Sequence, residues 1–156
     1  MQYWLMKSEP SVYSIQDFQR DGHTGWEGIR NYQARNLMRD QMCVGDPVLF
    51  YHSSTEPPGV AGLARVSATG LVDPTQFDTT SPYYDAKATP AEPRWLMVEL
   101  AYLETWPEFL PLSLLKAQPQ LAGLMLLQRG SRLSIQPVSK THFQAICKLG
   151  KSQQVF

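Results

Sequence analysis

Twelve prolines and ten glycines interrupt this chain of 156 residues so often that only short elements fit between them. Residues 3–8 alternate in side-chain type and read as a strand that Glu9-Pro10 closes. Ser14-Ile15-Gln16-Asp17 has the capping-box pattern, so a short helix is expected to run to Asp21 and stop at Gly22. Residues 22–28 place three glycines around Trp26 and read as a loop. Asn31 can cap a second helix with the apolar stripe Ala34, Leu37, Met38 and Met42, ended by Gly45-Asp46. Strands are expected at 48–53, after Pro47, and at 60–66, where Gly62 permits a bulge or a close approach. Residues 73–93 carry four prolines and read as an extended loop or a functional flap. A long strand is expected at 95–103, two short helical pieces broken at Pro119 within 111–130, a last strand at 133–138, and a helix at about 140–148.

Five or six short strands with short flanking helices predict an α+β fold, a small mixed β-barrel that closes to remove its edges. Strictly alternating βα units are absent, which excludes a doubly wound sheet. The length and the lack of any linker or repeat predict one domain over residues 1–156. An apolar fraction of 43% against 18% charged residues is enough for a core of its own.

Cys43 and Cys147 lie far apart with no paired spacing, so a disulfide framework is not expected and a reducing compartment, taken as the cytoplasm, is. No basic segment leads into an apolar core at the N-terminus, and no apolar run spans a bilayer, so neither a signal peptide nor a membrane association is expected. The net charge is zero, yet residues 111–156 hold six basic side chains and no acidic one, which places a positive face beside a neutral total.

His23, His52 and His142 stand apart from each other and from both cysteines, so no metal spacing and no cofactor motif appears. Gly150-Lys151-Ser152 imitates the end of a phosphate loop, but Ala145 stands where its first glycine is needed. What remains is polar and aromatic. Trp26 on its glycine-rich loop can stack on a planar ligand, although a loop tryptophan taken alone is equally a core anchor. Arg30 and Arg35 can contact phosphate beside a helix N-terminus. Lys7-Ser8-Glu9 and Tyr51-His52-Ser53 end two strands where a barrel opens a pocket. Tyr83, Tyr84 and Lys87 can form a wall or lid, with Arg129 and Gln136 as candidates from the far end of the chain.

Tyr3-Trp4-Leu5-Met6-Lys7-Ser8-Glu9-Pro10, the run from Trp26 to Asn36, and Gly45-Asp46-Pro47-Val48-Leu49-Phe50-Tyr51-His52-Ser53 closely resemble the EVE domain family. So do Asp73-Pro74-Thr75-Gln76-Phe77-Asp78, Ser81-Pro82-Tyr83-Tyr84-Asp85, Pro93-Arg94-Trp95 and Leu133-Ser134-Ile135-Gln136-Pro137-Val138, in the same order. Pro47 and Ala86 depart from the commonest family residues. The resemblance implies a PUA-like fold related to the YTH and SRA-type base readers. It implies a non-enzymatic, monomeric binder of nucleic acid that takes a flipped modified base into a pocket, foremost a modified cytosine in DNA and otherwise modified RNA. Carried over residue by residue, that pocket uses Lys7, Ser8, Glu9, Trp26, Asn31, Ser53 and Tyr83 or Tyr84. Arg30, Arg35, Lys87 and Arg129 are the expected phosphate contacts. Two other readings stay open on the residues alone: an enzyme acting on modified nucleotides or RNA, and a small-molecule or protein interaction module.

Overall fold

Two neighbouring strands of the sheet are buried on both faces, and the rest of the architecture follows from covering them. The computed structural model describes residues 1–156. Strand β1 (Tyr3–Ser8) lies parallel to β3 (Pro47–His52), with Trp4 opposite Val48 and Ser8 opposite His52. Tyr3 and Leu5 of β1 join Leu49 and Tyr51 of β3 on one face; Trp4, Met6, Val48 and Phe50 point to the other. This is the period-two alternation of a strand, here with apolar residues on both sides because both sides are covered.

The covers are helices. On one face lie α1 (Ile15–Asp21) and α2 (Tyr32–Asp40), which send Ile15, Phe18, Ala34 and Met38 into the core. The other face is closed by α3 (Leu112–Lys116) and α4 (Lys140–Leu149), through Leu115, Phe143 and Ile146. Ser14 caps α1 in a full capping box with Asp17, and Asn31 caps α2 by accepting the Ala34 N–H at 3.0 Å. Helix α2 ends at Asp40, short of the expected Gly45, because residues 42–46 turn back to pair with the sheet through Gly45 N–H to the Val66 carbonyl.

The remaining strands are β2 (His23–Gly25), β4 (Gly59–Val72), β5 (Leu96–Pro111) and β6 (Ile135–Val138). The sheet order is β2-β5-β4-β3-β1-β6, and every pairing except β1 with β3 is antiparallel. The class is α+β as expected, with six strands and four short helices, but the sheet is open: β2 and β6 do not meet. Both edges are short, and Pro137 in β6 lacks the N–H that a further partner would need. Short edges and an edge proline protect a sheet without closing it.

The pair β4 and β5 outruns the expected strands by absorbing several register shifts. One of them lies beside Gly62, where a Cβ would run into the backbone carbonyl of Glu104. Gly62→Ala is therefore expected to cost about 1–3 kcal/mol in urea unfolding. A loss below about 0.5 kcal/mol would mean that the bulge opens freely to admit a methyl group.

Candidate nucleic-acid interface

At the end of β1 the backbone changes from ladder to turn, and a cleft of about 370 Å³ opens there. That volume falls within the range of ordinary small-ligand sites. Lys7, Ser8 and Glu9 form one wall, Trp26 with its neighbours Glu27 and Gly28 another, and Tyr83 a third. Five of the expected site residues thus meet around one opening: Lys7, Ser8, Glu9, Trp26 and Tyr83. Tyr13 and Thr24 line it as well and were not expected. Tyr13 comes from the loop that leads into the α1 cap, and Thr24 from β2, so only the folded chain brings them here.

Each wall is held locally. The Ser8 hydroxyl donates to the Tyr13 carbonyl at 2.6 Å, and the Ser8 carbonyl accepts the Ser53 N–H at 2.9 Å. Lys7 is half-buried over the Tyr51 ring, 5.9 Å from its centroid, and burial pushes its ammonium below the ordinary value. Trp26 is 7% exposed and sets its ring edge-on to Phe50 at 5.8 Å, so most of the indole is core. Its indole N–H has no protein partner, and no side-chain nitrogen or oxygen in the molecule is buried without one, so this N–H keeps access to solvent.

The Tyr83 wall depends on Arg30. The guanidinium donates to the Tyr83 carbonyl from Nε and Nη2, to the Ile29 carbonyl and Asp73 from Nη1, and to Thr75 from Nη2. All five N–H donors are thereby spent inside the protein. Sequence reasoning expected Arg30 at a phosphate; the structure gives it a partly buried ion pair with Asp73 at 3.0 Å and the anchoring of the flap. Burial alone would raise the Asp73 carboxyl, yet hydrogen bonds from Thr75, the Gly28 N–H and Arg30 hold it below the usual range. Gly28, at φ +85°, packs against the Tyr83 ring so closely that a Cβ would stand 2.7 Å from it.

Seven other expected residues lie outside the lining. Asn31 is occupied as the α2 cap, Ser53 supports Ser8 through its backbone, and Tyr84 and Lys87 are exposed on the flap. Arg35 stacks over Tyr32 at 4.6 Å and donates to the Arg94 carbonyl and to Asn36. Arg129 is exposed in the loop before β6. Gln136 is buried and donates to Ser131 and to the Leu133 carbonyl. No three His, Cys, Asp or Glu side chains are grouped to hold a metal, and no helix is long and apolar enough to cross a membrane.

The family model of the EVE domain matches residues 2–149. The chain belongs to the EVE domain family. Human thymocyte nuclear protein 1 is 36% identical over 170 aligned residues, covering 97% of this chain and 75% of that protein. A crystal structure of a Pseudomonas syringae protein superposes with a TM-score of 0.90 at 47% identity, covering 95% of this chain and 99% of that one. The human THYN1 protein, solved in complex with 5-methylcytosine-containing DNA, superposes with a TM-score of 0.88 at 35% identity over 99% of this chain and all of that one. The EVE domain here therefore has the PUA-like α+β arrangement of that family. The relatives' name also overturns the expectation of a cytoplasmic location, since it is a nuclear one. Two free cysteines could not make that distinction, because nucleus and cytoplasm are both reducing.

Proposed function

We propose that this EVE domain is a non-enzymatic reader that takes one modified base of a nucleic acid into the cleft beside Trp26, with the base leaving its stack to enter. The observation that carries this reading is the Trp26 indole N–H. The other three tryptophans each donate theirs to a carboxylate: Trp4 to Asp46 at 3.0 Å, Trp95 to Asp85 at 2.8 Å and Trp106 to Glu104 at 2.7 Å. Trp26 alone keeps an unused donor, and it does so on the wall of the cleft. A flat ligand with acceptors on its edge suits such a wall.

A relative solved with 5-methylcytosine-containing DNA supports modified cytosine in DNA as the first candidate, with modified RNA as the alternative. Extrusion of a base costs a few kcal/mol, and an aromatic stack returns about 1–3 kcal/mol. Edge hydrogen bonds and phosphate contacts supply the rest. For the latter, Arg129 and Lys87 are, among the expected contacts, the exposed cations free of ion pairs, with Arg35 partly committed. The chain acts in this reading as a single monomeric unit over residues 1–156.

The test is a binding screen of single-stranded and duplex oligonucleotides, each carrying one modified cytosine or adenine, at several salt concentrations. A reader prefers one modified base over its plain parent and weakens as salt rises. Equal and salt-insensitive affinity for every oligonucleotide would remove the proposal, and turnover of a base or nucleotide would replace it with an enzyme.

A further inference from the structure

The hydrogen-bonding groups left over in the cleft say more about the base than the stacking surface does. Ser8 has given its hydroxyl proton to the Tyr13 carbonyl, and Tyr13 donates its own to Asp21. Lys7 Nζ, Trp26 Nε1 and the carboxyls of Glu9 and Glu27 make no hydrogen bond or ion pair within the protein. Of the two acids, Glu27 is the more firmly placed. Its N–H donates to the Gly25 carbonyl at 2.9 Å, and the next N–H, that of Gly28, donates to Asp73 at 2.8 Å. The turn is thus clamped on both sides of Glu27, directly after the indole.

The charges around Glu27 do not neutralise it. Arg30, whose charge reaches it, has every donor committed elsewhere, while Asp73 adds a second negative charge behind the turn. Glu27 stays exposed to solvent, yet partial desolvation beside the cleft first, and then Asp73, push its carboxyl above its ordinary value, with Arg30 opposing. Such an acid takes up a proton readily when a ligand shields it further.

We infer that Glu27 shares a proton with the ring nitrogen of an amino base, N3 of a cytosine or N1 of an adenine, and accepts the exocyclic amino N–H with its other oxygen. This rests on the reader function proposed above and names the base class for it. The proton comes from solvent, so capture of the base takes up one proton. It lies between two groups of similar basicity, a carboxylate and an aromatic ring nitrogen, which makes a charge-assisted and therefore strong bond. Thymine and uracil reverse that edge, with an N3–H donor beside the O4 acceptor, so the acid proton could rest only on a carbonyl oxygen of almost no basicity, and they lose that strength. An ionised Glu27 would instead suit guanine, whose N1–H and N2–H both donate.

The deciding comparison is 5-methylcytosine against thymine in otherwise identical oligonucleotides, because the two bases share the 5-methyl group and differ in the edge. Affinity of the wild-type protein for 5-methylcytosine is expected to rise about tenfold per unit fall in pH over the range where the free acid is ionised, with a much flatter response for thymine. Glu27→Gln supplies the donor and acceptor permanently, so it is expected to bind 5-methylcytosine with little pH dependence. Glu27→Ala is expected to lose the preference over thymine. Lys7, Glu9, Tyr13, Tyr83, Asp73 and Arg30 face the same turn or cleft and are unchanged in both variants, so any slope that survives belongs to them. The same pH slope in Glu27→Gln as in wild type, or a wild-type preference for guanine, would overturn the inference alone. No binding of any modified oligonucleotide by the wild-type protein would overturn it together with the reader function.

Discussion

Gln76→Ala is expected to lower stability by about 3–4 kcal/mol, an unusually large effect for a polar residue on a loop. Gln76 is 0% exposed and all four of its amide bonds are made to backbone. Its Nε2 donates to the carbonyls of Asp73 at 2.7 Å and Trp95 at 2.8 Å, and its Oε1 accepts the N–H groups of Arg94 and Trp95, each at 3.0 Å. The side chain acts as a short extra strand that sews the flap to the chain entering β5. Its backbone carbonyl takes the Asp85 N–H at 3.0 Å, and Asp85 in turn accepts the Trp95 indole N–H. Alanine leaves the N–H groups of Arg94 and Trp95 without partners and takes a donor from the carbonyls of Asp73 and Trp95, the latter keeping the Asp73 N–H, and water can reach only part of that space. Faster amide exchange across residues 73–93, measured beside urea unfolding, should accompany the loss. Ligand affinity should fall too, because Tyr83 belongs to the same flap. A loss under about 1 kcal/mol with unchanged exchange would show that the flap is held by something else, the Arg30–Asp73 pair being the next candidate.

Gln76 also illustrates what a sequence conceals. Nothing in a polar, proline-rich stretch marks one glutamine as its central tie, because its partners are backbone groups up to 19 residues away. Local grammar was legible: the Ser14–Asp17 capping box, the Asn31 cap and Pro47 at the first position of β3 all depend on near neighbours. Strand β2 was not, since His23-Thr24-Gly25 has little strand propensity and is extended only because the long β5 offers it a partner. The lengths of β4 and β5 were hidden for a related reason, as bulges carry the ladder past residues that would otherwise end it. At the cleft, Lys7, Ser8, Glu9, Trp26 and Tyr83 could be named from contiguous motifs. The part Arg30 plays in holding the flap was hidden because its counter-ion, Asp73, stands 43 residues along the chain. Glu27 and Gly28, next to Trp26 in sequence, were passed over although that adjacency was the available signal.

Trp26→Ala and Trp26→Phe together separate the two roles that this indole combines. Alanine removes a ring that is 93% covered and packed edge-on against Phe50, so a stability loss of about 3–5 kcal/mol is expected. Under the proposed function it also removes the aromatic contact to the base, worth about 1–3 kcal/mol or roughly 5- to 150-fold in affinity for the modified oligonucleotide. Phenylalanine refills much of the space, so its stability cost should stay below about 2 kcal/mol. It keeps an aromatic face but has no N–H to offer. If that donor meets an acceptor on the base, Trp26→Phe weakens binding by about 1 kcal/mol, roughly five-fold, at a temperature where the variant is folded. Stability and affinity then fall by different ratios in the two variants, which a purely structural tryptophan would not produce. An affinity for Trp26→Phe equal to that of wild type would leave the indole N–H without a ligand. Undiminished binding by folded Trp26→Ala would move the site out of this cleft altogether.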